Sequence, residues 1–292
     1  MSRALFTPSE LRRLERLTIR RRRTVRGGHQ GEWRSRHHGM SGLFADHRAY
    51  VAGDDLRYVD WNVYGRLGDL VVKRFEAEEN VDLLLLVDRS LSMHGAKSRA
   101  ARRVAGALGY LALTHQDHVR LAWLPAPEGR PPLIDYRSRA RASAFLDELA
   151  TVEDVGETNH VRDLARVVGA TRRRGLTVLV SDFFDPAGAI RGLAMLRSRG
   201  LELGAVHVVD PTDAELPVGQ SIVAVDAETG EQLALDVSPG LQQRVRTAWQ
   251  GRIQGLARWC TPREIPHHVV DARRDVWDVL RELLRSRVAT GA

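Results

Sequence analysis

Two short, nearly continuous apolar runs, each closed by an aspartate, constrain this chain most. Val81–Asp88 reads VDLLLLVD and Leu176–Asp182 reads LTVLVSD. A strand that is apolar at almost every residue cannot leave one face in water. It belongs in a parallel sheet covered by helices on both sides. Helical and extended patterns alternate around these runs. Lys97–His115 sets Ala101, Val104, Ala105, Leu108 and Leu111 on one helical face, and DHVRLAWLPA follows as a strand. PPLIDYR reads as an edge strand, because its prolines cannot donate to a central ladder. Further helices are predicted over Arg141–Leu149, Val161–Arg173, Ala187–Arg199, Gly240–Trp259 and Val276–Val288. LELGAVHVVD and HHVVD read as strands, and a hairpin is predicted around Glu228-Thr229-Gly230 between Ser221–Val225 and Gln232–Val237. The alternation predicts a doubly wound, Rossmann-like α/β domain with a mostly parallel central sheet over residues 80–292.

Residues 1–79 have a different texture. Thr7-Pro8-Ser9-Glu10 carries an N-cap, a proline at the first helical position and a glutamate three residues after the cap, which predicts a helix to about Ile19. From Thr24 to Gly68 glycines recur and aromatic residues sit between charges, so short strands and turns are expected, followed by an extended Leu70–Asn80. This stretch is expected to form a smaller N-terminal helix plus β-rich segment.

Bulk properties exclude several classes. Arg12, Arg13, Arg16, Arg20, Arg21, Arg22, Arg23 and Arg26 crowd the N-terminus of a chain of net charge +7. Such a cluster can hold phosphate non-specifically, but a solvated helix face in an arginine-rich chain explains it as well, and no aromatic residue is interleaved for base stacking. The single cysteine, Cys260, forbids an intrachain disulfide and reads as a half-buried thiol; with His267 and His268 it makes only a weak zinc set. No apolar run approaches the ~20 residues of a spanning helix, and no secretory signal is seen, so the chain is read as cytoplasmic. It has no Gly-x-x-x-x-Gly-Lys-Ser/Thr loop, no Gly-x-Ser-x-Gly elbow and no His-Glu-x-x-His.

The chemistry gathers at the ends of the two apolar strands, where open α/β sheets bind ligands. Asp88-Arg89-Ser90-Leu91-Ser92 leads into a helix, Gly156-Glu157-Thr158-Asn159 precedes another, and Ser181-Asp182-Phe183 closes the second strand. An Asp-x-Ser-x-Ser loop with a later threonine and a strand-end aspartate resembles the metal-ion-dependent adhesion site of von Willebrand factor A-type (vWA) domains. The matching residues are Asp88, Ser90, Ser92, Thr158 and Asp182. The resemblance implies a divalent cation, Mg2+ by default and Mn2+ or Ca2+ as alternatives, bound by the three hydroxyls, with the two aspartates often acting through water. Neutral hydroxyl donors leave such a metal able to take one more carboxylate, which a partner's Asp or Glu supplies.

A second resemblance lies upstream. Tyr50, Gly53, Asp54, Asp55, Arg57, Asp60 and Trp61, continued by Arg66, Lys73, Phe75 and Glu76, look like the signature of the DUF58 family. Many members of that family carry N-terminal membrane helices, and this sequence departs from them in showing no such span. In this segment acids alternate with cations. An internal ion-pair network is the plain reading, and a docking surface built on Gly53, Asp54, Asp55, Arg57, Asp60 and Trp61 is the functional one. The resemblance implies partnership with a MoxR-type AAA+ ATPase. The chain would then be a metal-dependent adaptor in chaperone-like maturation of a protein complex, binding a client that offers an acidic residue. Two other classes compete: a metal-dependent hydrolase, with His94 as a candidate base, and a basic nucleic-acid binder. The first strand's Asp-Arg-Ser lacks the alternating carboxylates of phosphoaspartyl enzymes, and no recognition module accompanies the arginines.

Overall fold

The computed structural model describes residues 4–17, 42–77, 82–126, 132–156, 159–171 and 175–285. Its elements in chain order are α1 (Pro8–Glu15), β1 (Gly42–Ala49), α2 (Trp61–Leu67), β2 (Val71–Ala77), β3 (Asp82–Asp88), α3 (Ala96–Thr114), β4 (His118–Leu124), β5 (Ile134–Arg137), α4 (Ala142–Thr151), α5 (His160–Ala170), β6 (Leu176–Ser181), α6 (Pro186–Ser198), β7 (Glu202–Val209), β8 (Ser221–Val225), β9 (Gln232–Asp236), α7 (Pro239–Cys260), β10 (His267–Asp271) and α8 (Val276–Arg285).

Six strands form one sheet in the order β10-β7-β6-β3-β4-β5. All neighbours run parallel except β5, which lies antiparallel on the edge beside β4. Numbered within the sheet, the order is 3-2-1-4-5-6, the doubly wound arrangement whose direction of travel reverses between β3 and β6. The apolar run of β3 serves both faces by alternation. Leu83, Leu85 and Val87 enter the core under α3, α4 and α8, and Leu84 and Leu86 enter the core under α5, α6 and α7. The expected mixed α/β fold, a mostly parallel sheet flanked by helices, is what forms. Among the described residues no helix is long and apolar enough to cross a membrane.

The chain divides into two compact units, residues 24–80 and residues 1–23 with 81–292. This differs from a division at residue 79, because α1 belongs with the sheet. Its capping box forms as the sequence predicts, with Thr7 N–H on Glu10 and Glu10 N–H on the Thr7 hydroxyl at 3.3 Å. The helix then docks on α3: Phe6 and Leu14 are buried, Glu10 pairs with Arg103, and the Tyr110 hydroxyl donates to Glu15 at 2.9 Å. Arg13 lies 4.4 Å from the Trp277 ring centre, so part of the N-terminal arginine cluster serves packing. Arg20 to Arg23 and Arg26 lie outside the described residues.

In the smaller unit β1 and β2 pair antiparallel. The expectation of strands and turns alone is corrected by α2. Asp60 caps it through Asn62 N–H at 3.0 Å, and Gly68 ends it in the left-handed conformation at φ 75°. Its apolar residues Trp61, Tyr64 and Leu67 are exposed, so no buried stripe marked it in the sequence.

Candidate metal centre

The reversal point between β3 and β6 is where a doubly wound sheet leaves a crevice at its carboxyl edge. Asp88 ends β3 and Ser181 ends β6. Asp88 is buried. One of its carboxylate oxygens accepts Ser90 N–H at 2.9 Å, and the other accepts the Ser181 hydroxyl at 2.5 Å. His160, at the start of α5, brings Nε2 to 3.8 Å from Asp88 and 3.4 Å from the Ser181 hydroxyl. The hydroxyls of Ser90 and Ser92 stand 2.9 Å apart.

Asp182, also buried, accepts Phe184 N–H at 3.1 Å and the Lys97 ammonium at 2.9 Å. Lys97, from the first turn of α3, reaches Asp213 as well, at 2.8 Å. Burial opposes the Lys97 charge, but the two carboxylates outweigh it and hold its pKa above the ordinary lysine value. Burial raises the Asp88 carboxyl, and the neighbouring charge of Asp182 adds to this against the opposing pull of His160. Phe183, between these groups, is a buried bulky residue at φ 49°. Left-handed backbone at such a residue is strained, and strain of this kind concentrates at functional sites.

Arg89 holds the surrounding loops. Its guanidinium donates to the carbonyls of Pro125 at 2.7 Å and Glu153 at 2.9 Å. Leu91 N–H donates to Gly156, and Val155 N–H to Arg89, so the 152–156 loop is tied to the Asp88–Ser92 loop. Asp154 secures the same loop to α3 through the Ser98 hydroxyl and Arg102.

Asp88, Ser90, Ser92 and Asp182 therefore meet at one edge of the sheet, while Thr158 lies outside the described residues. The donor set fits a hard divalent cation. With oxygens at about 2.1 Å from an octahedral metal, adjacent ligands are about 3.0 Å apart, which matches the Ser90–Ser92 spacing. Ser90 and Ser92 offer neutral hydroxyl ligands, and the Asp88 and Asp182 carboxylates would add negative charge directly or through water. Among the described residues no three His, Cys, Asp or Glu side chains converge as a metal cage. Cys260 is fully buried rather than half-buried, and burial pushes its thiol up to about 11. His94 is exposed, 3.8 Å from Asp154.

The sequence reading does not assign Lys97, His160 or Ser181 to the site. A signal existed for two of them, since Ser181 adjoins Asp182 and His160 follows Thr158 by two residues. Lys97 meets Asp182 only through the fold.

In the upstream segment the acids are held locally. Asp54 takes both terminal nitrogens of Arg48, at 2.7 and 2.5 Å, and Arg57 holds the Asp55 carboxyl down at about 2. Asp60 caps α2 and lies 3.0 Å from His47 Nε2. Gly53 sits at φ 109°, a conformation that excludes other residues, and Trp61 stacks edge-on against Tyr64. The side chains of Lys73, Phe75 and Glu76 lie outside the described residues.

A family model described as "Protein of unknown function DUF58" matches residues 46–255. The chain belongs to the DUF58 family. Uncharacterised proteins of Mycobacterium tuberculosis and Mycobacterium bovis are each 31% identical to it over 225 residues, covering 73% of this chain and 70% of theirs. Among solved structures, the conserved hypothetical protein BatB of Bacteroides thetaiotaomicron is similar over 70% of this chain and 96% of its own, at 14% identity and a TM-score of 0.43. An aerotolerance-related membrane protein of Bacteroides fragilis matches at 13% identity and a TM-score of 0.40, over 70% and 99%. The DUF58 match spans both the upstream segment and the Asp88–Ser92 loop.

Beside the site a row of rings crosses the sheet. His160 stacks on Phe183, Phe183 meets His207 edge-on at 5.0 Å, and His207 Nδ1 lies 3.3 Å from His267 Nε2. Burial, with His267 and Arg252 nearby, pushes fully buried His207 down to about 3, and burial lowers His267 to about 4. A depressed folded-state pKa leaves the contribution intact above the ordinary histidine value of about 6.5 and removes it as pH falls toward 3. Between pH 7 and pH 4 His207 alone is expected to withdraw about 3 kcal/mol. Urea unfolding across this window checks it: His207→Leu should flatten the acid slope, and an unchanged slope would show that His207 is not its source.

Proposed function

We propose that this chain is a vWA-type, metal-dependent protein-binding adaptor. A divalent cation, Mg2+ by default, would be held by Ser90, Ser92 and Thr158, with Asp88 and Asp182 behind it through water. It would take its remaining ligand from an acidic residue of a client. The observation that carries the reading is the pair of serine hydroxyls at octahedral spacing, placed at the reversal point of the sheet with buried carboxylates behind them. Neutral direct ligands leave the metal's charge unspent, which suits capture of a carboxylate and asks for no bond to break.

The DUF58 resemblance supplies the second half of the proposal. The adaptor works with a MoxR-type AAA+ ATPase in chaperone-like maturation of a protein complex. The ATPase supplies the work, and this chain, which has no P-loop, selects the client. The upstream segment around Gly53–Trp61 is the proposed ATPase-docking surface, with exposed Trp61 as its apolar element.

The test is capture from native lysate with Mg2+ and with chelator, using wild type and Asp88→Ala. An AAA+ ATPase or client retained only by wild type with metal supports the proposal. The same partners in all four conditions overturn the metal's role.

A further inference from the structure

A cavity of about 570 Å³ opens directly beside the metal loop. Ser92, Lys97 and Phe184 line it. α7 lines it through Val245 and Trp249, and the end of the β8–β9 hairpin lines it through Val225, which is exposed. The volume lies within the range of about 300–1,000 Å³ seen for pockets that enclose a ligand, and is enough for one bulky side chain with its neighbour.

Arg252 sets the chemistry. Its guanidinium lies over the Phe184 ring at 4.7 Å from the centroid, which fixes its plane. Its Nε is buried and bonded to nothing, and it makes no hydrogen bond or ion pair among the described residues. The other charged side chains that line the cavity are Lys97, Asp213, Asp226 and Glu228. Lys97 bridges Asp182 and Asp213, and the Asp226 carboxylate accepts the backbone N–H groups of Glu228 and Thr229 to shape the hairpin turn. A planar guanidinium held in place without an anion matches the fork geometry of a carboxylate.

We propose that this cavity is a second subsite for the partner. A carboxylate seats on Arg252, and a bulky apolar side chain of the same extended segment packs between Trp249, Val245 and Val225. The proposal rests on the adaptor reading above for its location: the metal takes one acidic residue at the Ser92 end, and the cavity takes the next acidic and apolar residues of that segment. The partner is thus an acidic peptide with an interleaved large apolar residue.

Selection of a displayed random decapeptide library on the full chain, in Mg2+ and in chelator, tests this. Wild type is expected to enrich sequences with Asp or Glu within two or three residues of Leu, Phe or Trp. A selected peptide, resynthesised and labelled, should bind Arg252→Gln and Trp249→Ala about tenfold more weakly, as an interface anchor does. Circular dichroism of each variant confirms the fold, and Arg252→Lys, which keeps the charge but not the fork, should bind more weakly than wild type. Random recovered sequences, or equal binding by Arg252→Gln and Trp249→Ala, overturn the subsite even where chelator or Asp88→Ala abolishes capture. Loss in Arg252→Gln together with indifference to chelator keeps the subsite and overturns the metal reading instead.

Discussion

Magnesium added to the metal-free chain is expected to raise its thermal unfolding midpoint, and Asp88→Asn is expected to remove that rise without making the metal-free chain less stable. A ligand at a hundred times its Kd stabilises the folded state by about 2.7 kcal/mol, which is roughly 5–10 °C for a domain of this size. Asp88 is expected to control the effect through its charge. Without metal its carboxyl is buried beside Asp182, and burial holds its pKa above the ordinary carboxylate value. A raised folded-state pKa contributes stability below the unfolded value and loses it as pH rises through the folded one. Above the ordinary carboxylate value, keeping this carboxyl buried therefore costs the metal-free fold stability. Asparagine removes the charge and keeps the shape. Its carbonyl can still accept Ser90 N–H, and its amide can donate to Ser181, whose hydroxyl rotates to suit. The readout is a pair of melting curves, with magnesium and with chelator. A magnesium shift in Asp88→Asn equal to wild type would place the ion elsewhere, and a large loss of metal-free stability would mean that Asp88 is a structural anchor.

The parts of this protein legible in sequence are those with local causes. β3 and β6 announce themselves because a strand buried on both faces must be apolar throughout, and the aspartates closing them mark the carboxyl edge where ligands gather. Asp88, Ser90 and Ser92 lie on one loop, so their spacing alone brings them together. α1 was legible as a helix from Thr7 and Glu10, but its place was not. The contacts that bind it to the sheet unit, Glu10 to Arg103 and Glu15 to Tyr110, span more than ninety residues of chain. Lys97 is the same case within the site, meeting Asp182 from 85 residues away. α2 escaped for the opposite reason: its signals were its caps, Asp60 and Gly68, and its aromatic face is exposed, so no apolar period pointed inward.

Phe145→Ala is expected to cost 3–5 kcal/mol, roughly 10–15 °C in the unfolding midpoint, with a smaller magnesium-dependent shift. Phe145, on α4, is fully buried and meets Tyr136 edge-on at 5.2 Å. Its ring lies against Gly109 of α3 so closely that a Cβ there would fall 2.3 Å from the Phe145 Cζ. Mid-helix glycine is about 1 kcal/mol worse than alanine, so Gly109 persists because the ring occupies its side-chain space. Gly109→Ala should therefore destabilise wild type despite its better helix propensity, by the 1–3 kcal/mol typical of overpacking. In a Phe145→Leu background, where the ring is gone, the same change should become neutral or stabilising. This reversal of sign, read from urea unfolding of the four proteins, is the coupling expected of two residues sharing one space. Additive effects would refute the contact. The consequence for function follows from α3, whose N-cap Gly95 lies just beyond the Asp88–Ser92 loop and which carries Lys97 in its first turn. Loosening α4 against α3 should shrink the magnesium-dependent shift along with the core's stability, whereas an undiminished shift would show that the loop is held by Arg89 and Asp154 alone.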